Sequence, residues 1–179
     1  DVVLQRVRFT ALSGKLADYR LFALLAPHLG NSGAGNSAFL GEFKGALLLF
    51  ARRGGYALAL GCSSRWVNGS AGYVGTSDGW QDLSRNKRLT RRYSLAANGN
   101  VALTGEVSLA DCGGEFVLAL GFGRSIEEAA HHVAASLNVG FDDVHVEYGR
   151  AWQAWHAKLH PPVEEHEPGA HLVRTSRTV

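Results

Sequence analysis

Four carboxylates come first as candidates for acid–base work: Glu42, Asp78, Asp82 and Glu106. Hydrolysis by a pair of acids needs one carboxyl held protonated and another ionised, and such pairs converge only in three dimensions, so spacing alone neither makes nor excludes one. None of the four stands out, and no catalytic residue is assigned. A serine nucleophile has no elbow to sit on, because Gly-x-Ser-x-Gly does not occur.

The eight histidines invite a metal reading, above all His131-His132 and the later His156, His160, His166 and His171. Adjacent helical positions point about 100° apart, so His131 and His132 cannot face one ion, and no H-E-x-x-H motif is present. They read as exposed helix histidines, and no metal is expected. Cys62 and Cys112 each end an apolar run, which suits buried thiols or one disulfide; the burial preference of cysteine favours thiols.

Gly33-Ala34-Gly35-Asn36-Ser37-Ala38 fits G-x-G-x-x-A, the dinucleotide fingerprint, but a phosphate cradle needs a helix to begin there. The following Phe39-Leu40-Gly41-Glu42-Phe43-Lys44-Gly45 carries two more glycines, so residues 33–45 read as a long surface loop and no cofactor is implied. Asn68-Gly69-Ser70 matches a glycosylation triplet and reads as a turn.

Lys plus Arg number 18 against 16 Asp plus Glu, and the excess gathers only at Arg85, Lys87, Arg88, Arg91 and Arg92. That run reads as a solvated strand or turn face, without a nucleic-acid partner. The longest apolar stretches, residues 46–51 and 116–122, fall far short of the roughly 20 residues that span a bilayer. No membrane anchor is expected, and the compartment stays open because any export signal would lie outside this sequence.

The elements that must position these groups are mostly strands. Residues 1–12 alternate in their middle, residues 18–26 continue with β-suited side chains, and Ser13-Gly14-Lys15 between them predicts a hairpin. Apolar runs at residues 46–51, 56–61, 101–109 and 115–122 follow, separated by Arg53-Gly54-Gly55, Asn98-Gly99-Asn100 and Cys112-Gly113-Gly114. Short strands at this spacing, without βαβ alternation, predict an antiparallel sandwich.

Ser125 with Glu128 three residues on forms a capping box and predicts a helix over 126–138. A second helix runs from Phe141 or Asp142 to Leu159, ended by Pro161-Pro162. Its Trp152 and Trp155 would stack on sugars, but on an apolar face they read as anchors of the helix against the sandwich. In residues 72–83, Gly72 and Gly75 permit close backbone approach, Ser77 or Asp78 caps a short helical turn, and Trp80 with Leu83 pins it to the core.

That segment, Gly72-Tyr73-Val74-Gly75-Thr76-Ser77-Asp78-Gly79-Trp80-Gln81-Asp82-Leu83, resembles the N-terminal domain of bacterial glucoamylases and glucodextranases. Residues 1–9, 25–31, 98–106, 116–123 and 151–156 extend the likeness over nearly the whole chain. The resemblance implies a mainly β, antiparallel supersandwich like that of galactose mutarotases, incomplete at its N-terminus and therefore with edges prone to association, followed by two linker helices. It divides the chain into a sandwich at 1–123, a helical linker at 124–162 and the start of an (α/α) barrel at 163–179.

It further implies a parent enzyme that releases glucose from α-glucan ends with inversion, whose catalytic carboxylates lie in the barrel. The partners implied are an α-glucan or maltooligosaccharide, met through the parent enzyme, and the barrel itself. Tyr73, Asp78, Trp80 and Asp82 are the residues expected to contact carbohydrate or the neighbouring domain. A weaker alternative, a mutarotase-like site, requires His28 beside Glu42.

Overall fold

The computed structural model describes residues 1–158. Residues 1–141 form one compact unit, and residues from 142 onward belong to a second. The first unit is built from nine strands: β1 (Val2–Arg8), β2 (Leu21–Leu25), β3 (Asn36–Phe43), β4 (Ala46–Arg53), β5 (Tyr56–Cys62), β6 (Trp66–Tyr73), β7 (Leu95–Gly99), β8 (Val101–Val107) and β9 (Glu115–Gly123). Between them stand helix α1 (Gly79–Asn86) and the single turn α2 (Leu109–Cys112), and helix α3 (Ile126–Val139) follows β9.

The strands make a six-stranded sheet in the order β1-β9-β5-β4-β3-β7 and a three-stranded sheet in the order β2-β8-β6. Every pairing is antiparallel. The fold is the mainly β antiparallel sandwich that the strand spacing predicts.

The continuous apolar runs have a direct explanation. Side chains alternate across a strand, so a run buried throughout must have cover on both faces. In β4, Leu49 and Ala51 enter the core between the sheets, while Leu48 and Phe50 face the cluster that α3 completes with Ala129, Ala130 and Val133. β5 divides likewise, Leu58 and Leu60 to one side and Ala57 and Ala59 to the other. The helix lies close to the sheet because the sheet is bare beneath it: a Cβ on Gly121 would stand 2.7 Å from the Ala129 carbonyl oxygen.

α3 begins where its cap predicts. Ser125 Oγ accepts from the Glu128 amide at 3.2 Å, and the Glu128 carboxylate accepts from the Arg124 amide at 2.7 Å, one residue earlier than the reciprocal box requires. His132 is half-buried and donates through Nδ1 to the Phe122 carbonyl at 2.7 Å, tying the helix to β9, whereas His131 is exposed.

Several expectations are corrected. Residues 1–26 do not form a hairpin: β1 pairs with β9 in the larger sheet and β2 with β8 in the smaller. The intervening residues, with a 3-10 turn at Leu16–Asp18, cross from one sheet to the other. Alternation reports that a segment is a strand but not which strand it meets. The long loop at 33–45 shortens to a turn, because Asn36–Phe43 is β3, paired on both sides by β4 and β7. Asn68-Gly69-Ser70 is no turn but the middle of β6.

α4 (Phe141–Ala157) is the second predicted helix; its expected end at Leu159, with Pro161-Pro162 and residues 163–179, lies outside the described residues. None of its residues is buried, so Trp152 and Trp155 are not core anchors. They pack on one another, ring centroids 5.4 Å apart and edge to face, with Tyr148 and His156 adjoining.

Candidate functional site

The outer face of the three-stranded sheet is polar yet covered. β8 turns Val101, Leu103 and Val107 into the core and Ala102, Thr104 and Glu106 the other way, and all seven of its residues are buried. Cover comes from α1: Gly79 sits on Thr104 so closely that a Cβ there would lie 2.1 Å from Thr104 Oγ1. Gly72 meets the Ser77 carbonyl oxygen in the same way, which folds residues 73–78 back over the end of β6. Gly75 is needed for a different reason than close approach, since its φ of +78° is the left-handed conformation with open space around it.

Asp78 is the N-cap of α1. One carboxylate oxygen accepts from the Gln81 amide at 2.9 Å and the other from the Gly75 amide, so both are spent on backbone. Asp82, 5% exposed, holds the chain beyond the helix: it accepts from the Thr90 amide (2.6 Å), Thr90 Oγ1 (2.6 Å), the Arg91 amide (2.8 Å) and Asn86 Nδ2 (2.7 Å). Burial pushes this carboxyl up, but the donors from Thr90, Arg91 and Asn86 outweigh it and hold the group well below the ordinary carboxylate range.

Trp80 turns outward instead. It is 62% exposed, so it does not pin α1; the buried residues of the helix are Gly79 and Asp82. Its indole borders an apolar cleft of about 340 Å³ shared with Leu24, Leu25, Val74, Gln81 and Ala102. Tyr73, also exposed, donates its hydroxyl to the Ala97 carbonyl at 3.0 Å and accepts from the Ala97 amide at 3.1 Å, which fixes the ring over β7. Asp78 lines the same cleft as Trp80, whereas Asp82 and Tyr73 shape its surroundings.

The fourth carboxylate, Glu106, is paired with a distant residue. Glu106, 5% exposed, takes Arg20 Nε at 2.6 Å and Nη2 at 2.7 Å in a bidentate pair, with Asn68 Nδ2 at 2.9 Å. Burial raises this carboxyl and the Arg20 and Asn68 bonds lower it further, for a net depression; the same bond to Glu106 raises Arg20. The available signal was a glutamate inside an otherwise apolar strand, a position that must find a cation. Arg20 stands 86 residues away, beyond any local pattern.

The remaining candidates stay apart. His28 lies against Gly33, at the Asn36 end of β3, while Glu42 stands six residues farther along that strand, roughly 20 Å at about 3.3 Å per residue. The mutarotase-like pairing is not formed. Asn36 closes the Gly33-Ala34-Gly35 turn with its own side chain, Oδ1 accepting from the Leu29 amide and Nδ2 donating to the Ser32 and Gly33 carbonyls, and it opens a strand, not a helix. Cys62 and Cys112 are both free thiols, half-buried against the main core. Among the described residues no group of three His, Cys, Asp or Glu side chains is arranged to hold a metal.

The family is decided by comparison with known sequences. A profile of "Glucodextranase, domain N" matches residues 1–157. The chain belongs to the glucodextranase domain N family. A glucoamylase of Clostridium sp. (strain G0005) is 29% identical to this N-domain over 153 residues, 86% of this chain and 22% of the relative. The crystal structure of a bacterial glucoamylase complexed with acarbose superposes with a TM-score of 0.85 at 29% identity, covering 89% of this chain and 23% of that one. The N-domain thus spans between a fifth and a quarter of the length of these relatives, and its sandwich is the fold it shares with the solved glucoamylase.

Proposed function

We propose that this N-domain is a non-catalytic scaffold of a glucoamylase-type glycoside hydrolase, an exo-acting enzyme that releases glucose from the ends of α-glucans or maltooligosaccharides with inversion. The family match over residues 1–157, joined to the TM-score of 0.85 with a bacterial glucoamylase, is the observation that carries this reading. The state of the acids supports it. An inverting pair needs carboxyls roughly 6.5–9.5 Å apart with room for water between them. Asp78, Asp82 and Glu106 instead have their oxygens engaged by backbone amides or by Arg20 and Asn68.

The proposed division puts the sandwich at 1–123, a helical linker at 124–162 whose first helix is seated on the larger sheet, and the opening of the catalytic barrel at 163–179. In this scheme Tyr73 and Trp80 present the surface that meets the barrel, and Asp78 and Asp82 hold that surface in shape. The test is direct. Incubated with maltoheptaose or dextran, the purified chain is expected to release no glucose; release with inversion of the anomeric centre would sink the reading.

A second reading, a carbohydrate-binding surface, is favoured by one feature: the exposed Trp80 indole beside an apolar cleft, the arrangement on which sugar rings stack. Maltoheptaose titrated against tryptophan fluorescence separates the two. A saturable change lost in Trp80→Ala supports glucan binding, and its absence leaves the scaffold reading.

A further inference from the structure

A second cleft, of about 450 Å³, opens beside the buried ion pair and is lined by Arg20, Arg88, Leu89, Thr90 and Arg92. Its volume falls within the ordinary range of small-molecule pockets. Three arginines line it, and the nearby acid is Glu106, which is paired with Arg20 and feels the charge of Arg92. Among the described residues no hydrogen bond or ion pair occupies the guanidinium of Arg88 or Arg92; Arg92 meets Glu106 only as a charge through space. One carboxylate against three guanidiniums leaves a surplus of two positive charges.

The backbone that carries two of these arginines is held in place. The stretch that carries Arg88 and Arg92 is fastened between them by Leu89, which is 4% exposed, and by Thr90, whose amide and hydroxyl both donate to Asp82. Arg20 keeps its plane through its two bonds to Glu106, with Nη1 left to donate. Guanidinium groups match tetrahedral oxyanions, which accept several N–H donors at once. A phosphate monoester carries about −1.5 to −2 near neutral pH, which fits a surplus of two, whereas one carboxylate would leave half of it uncompensated.

We propose that this cleft binds a dianionic phosphate group, with Arg88 and Arg92 as its main donors and Arg20 as the donor fixed by Glu106. The group comes either as free phosphate or as the ester of a sugar. The site is independent of Trp80 and of the scaffold reading.

The experiment is calorimetric titration of the protein, at constant ionic strength balanced with chloride, with inorganic phosphate, glucose 6-phosphate and glucose in turn. Saturable binding of at least one phosphate probe is expected, at least tenfold weaker in Arg88→Gln/Arg92→Gln. The charge-matched control Arg85→Gln/Arg91→Gln, on exposed side chains outside the cleft, is expected to bind as wild type does. Tighter binding of the sugar ester than of inorganic phosphate identifies the ester as the ligand, and equal binding identifies the free ion. The proposal is overturned if neither phosphate probe saturates, if both double variants weaken binding equally, or if glucose alone binds as well as its phosphate. All four substituted arginines are exposed, so chloride-only melting curves matching wild type are expected and separate lost binding from lost fold.

Discussion

The two sheets share one strand geometry but seal their outer faces by different physics. On the six-stranded sheet the outer face is apolar and small, and α3 closes over Gly121, Ala57, Ala59 and Ala119 with its own Ala129, Ala130 and Val133. On the three-stranded sheet the outer face carries Asn68, Ser70, Thr104 and Glu106, and its cover is hydrogen-bonded: Arg20 on Glu106, the Tyr93 amide on Ser70 Oγ, and Asp82 gathering four donors. The first seal depends on shape, whereas the second combines hydrogen-bonded groups with the close seat of Gly79 on Thr104, whose buried Oγ1 has no partner. Both clefts described above border the second seal.

The sharpest way to break this comparison is to add volume beneath α3. Gly121→Val places atoms where the Ala129 backbone already stands, and should cost about 3 kcal/mol, the upper part of the usual range for overpacking, measured by urea denaturation. A cost below that of an ordinary surface change would mean that the helix is not close-packed.

On the other sheet, Asp82→Asn keeps the volume but loses acceptors for the Thr90 and Arg91 amides. The expected cost is about 2 kcal/mol, as for a buried hydrogen-bonded network left partly unsatisfied. Amide exchange should quicken at Thr90 and Arg91 while β4 and β5 stay protected; unchanged protection at those two amides would contradict the role given to Asp82.

The polar seal should weaken in acid, and the core between the sheets should weaken in alkali. Asp82 and Glu106 are both depressed in the fold, so the stability they contribute is present above the unfolded carboxylate values near 4 and is lost as pH falls below them. Melting from pH 6 to pH 2 should show a shallower fall in Asp82→Asn than in wild type. At the end of β5, burial pushes the Cys62 thiol up to about 11 from its ordinary value of 9.0, so its contribution is complete below 9 and is lost as pH rises toward 11. Cys62→Ala should flatten that alkaline decline; an unaltered slope would place the decline elsewhere.

Smallest is the effect of Trp80→Ala on the isolated chain, under about 0.5 kcal/mol by chemical denaturation, because an exposed side chain has little burial to lose. A larger cost would mean that Trp80 supports α1 after all.

Much of the fold was legible, and the misses share a cause. The capping box at Ser125 and Glu128, the apolar runs of β4, β5, β8 and β9, and Asp78 as a helix cap are local signals, each complete within a few residues. β3 and β6 were misread as loop and turn because Gly41 and Gly69 resemble punctuation when their neighbours across the sheet are unknown. At the candidate site, Tyr73, Asp78, Trp80 and Asp82 were singled out through the family likeness, and the surroundings of the last three differ through burial: two acids spent on hydrogen bonds and an indole left in solvent.

By itself the sequence determined that this chain is an antiparallel β protein with a capped helix after its last strand, and it carried the family likeness, since periodicity, turns and caps act over a few residues. Tertiary structure alone decided that β1 and β2 part company into different sheets, that Glu106 meets Arg20 across 86 positions, and that Arg88 and Arg92 share a cleft with that pair. Those outcomes depend on which distant surfaces bury one another, and partner choice between strands is settled by the whole core at once, beyond the reach of any local pattern.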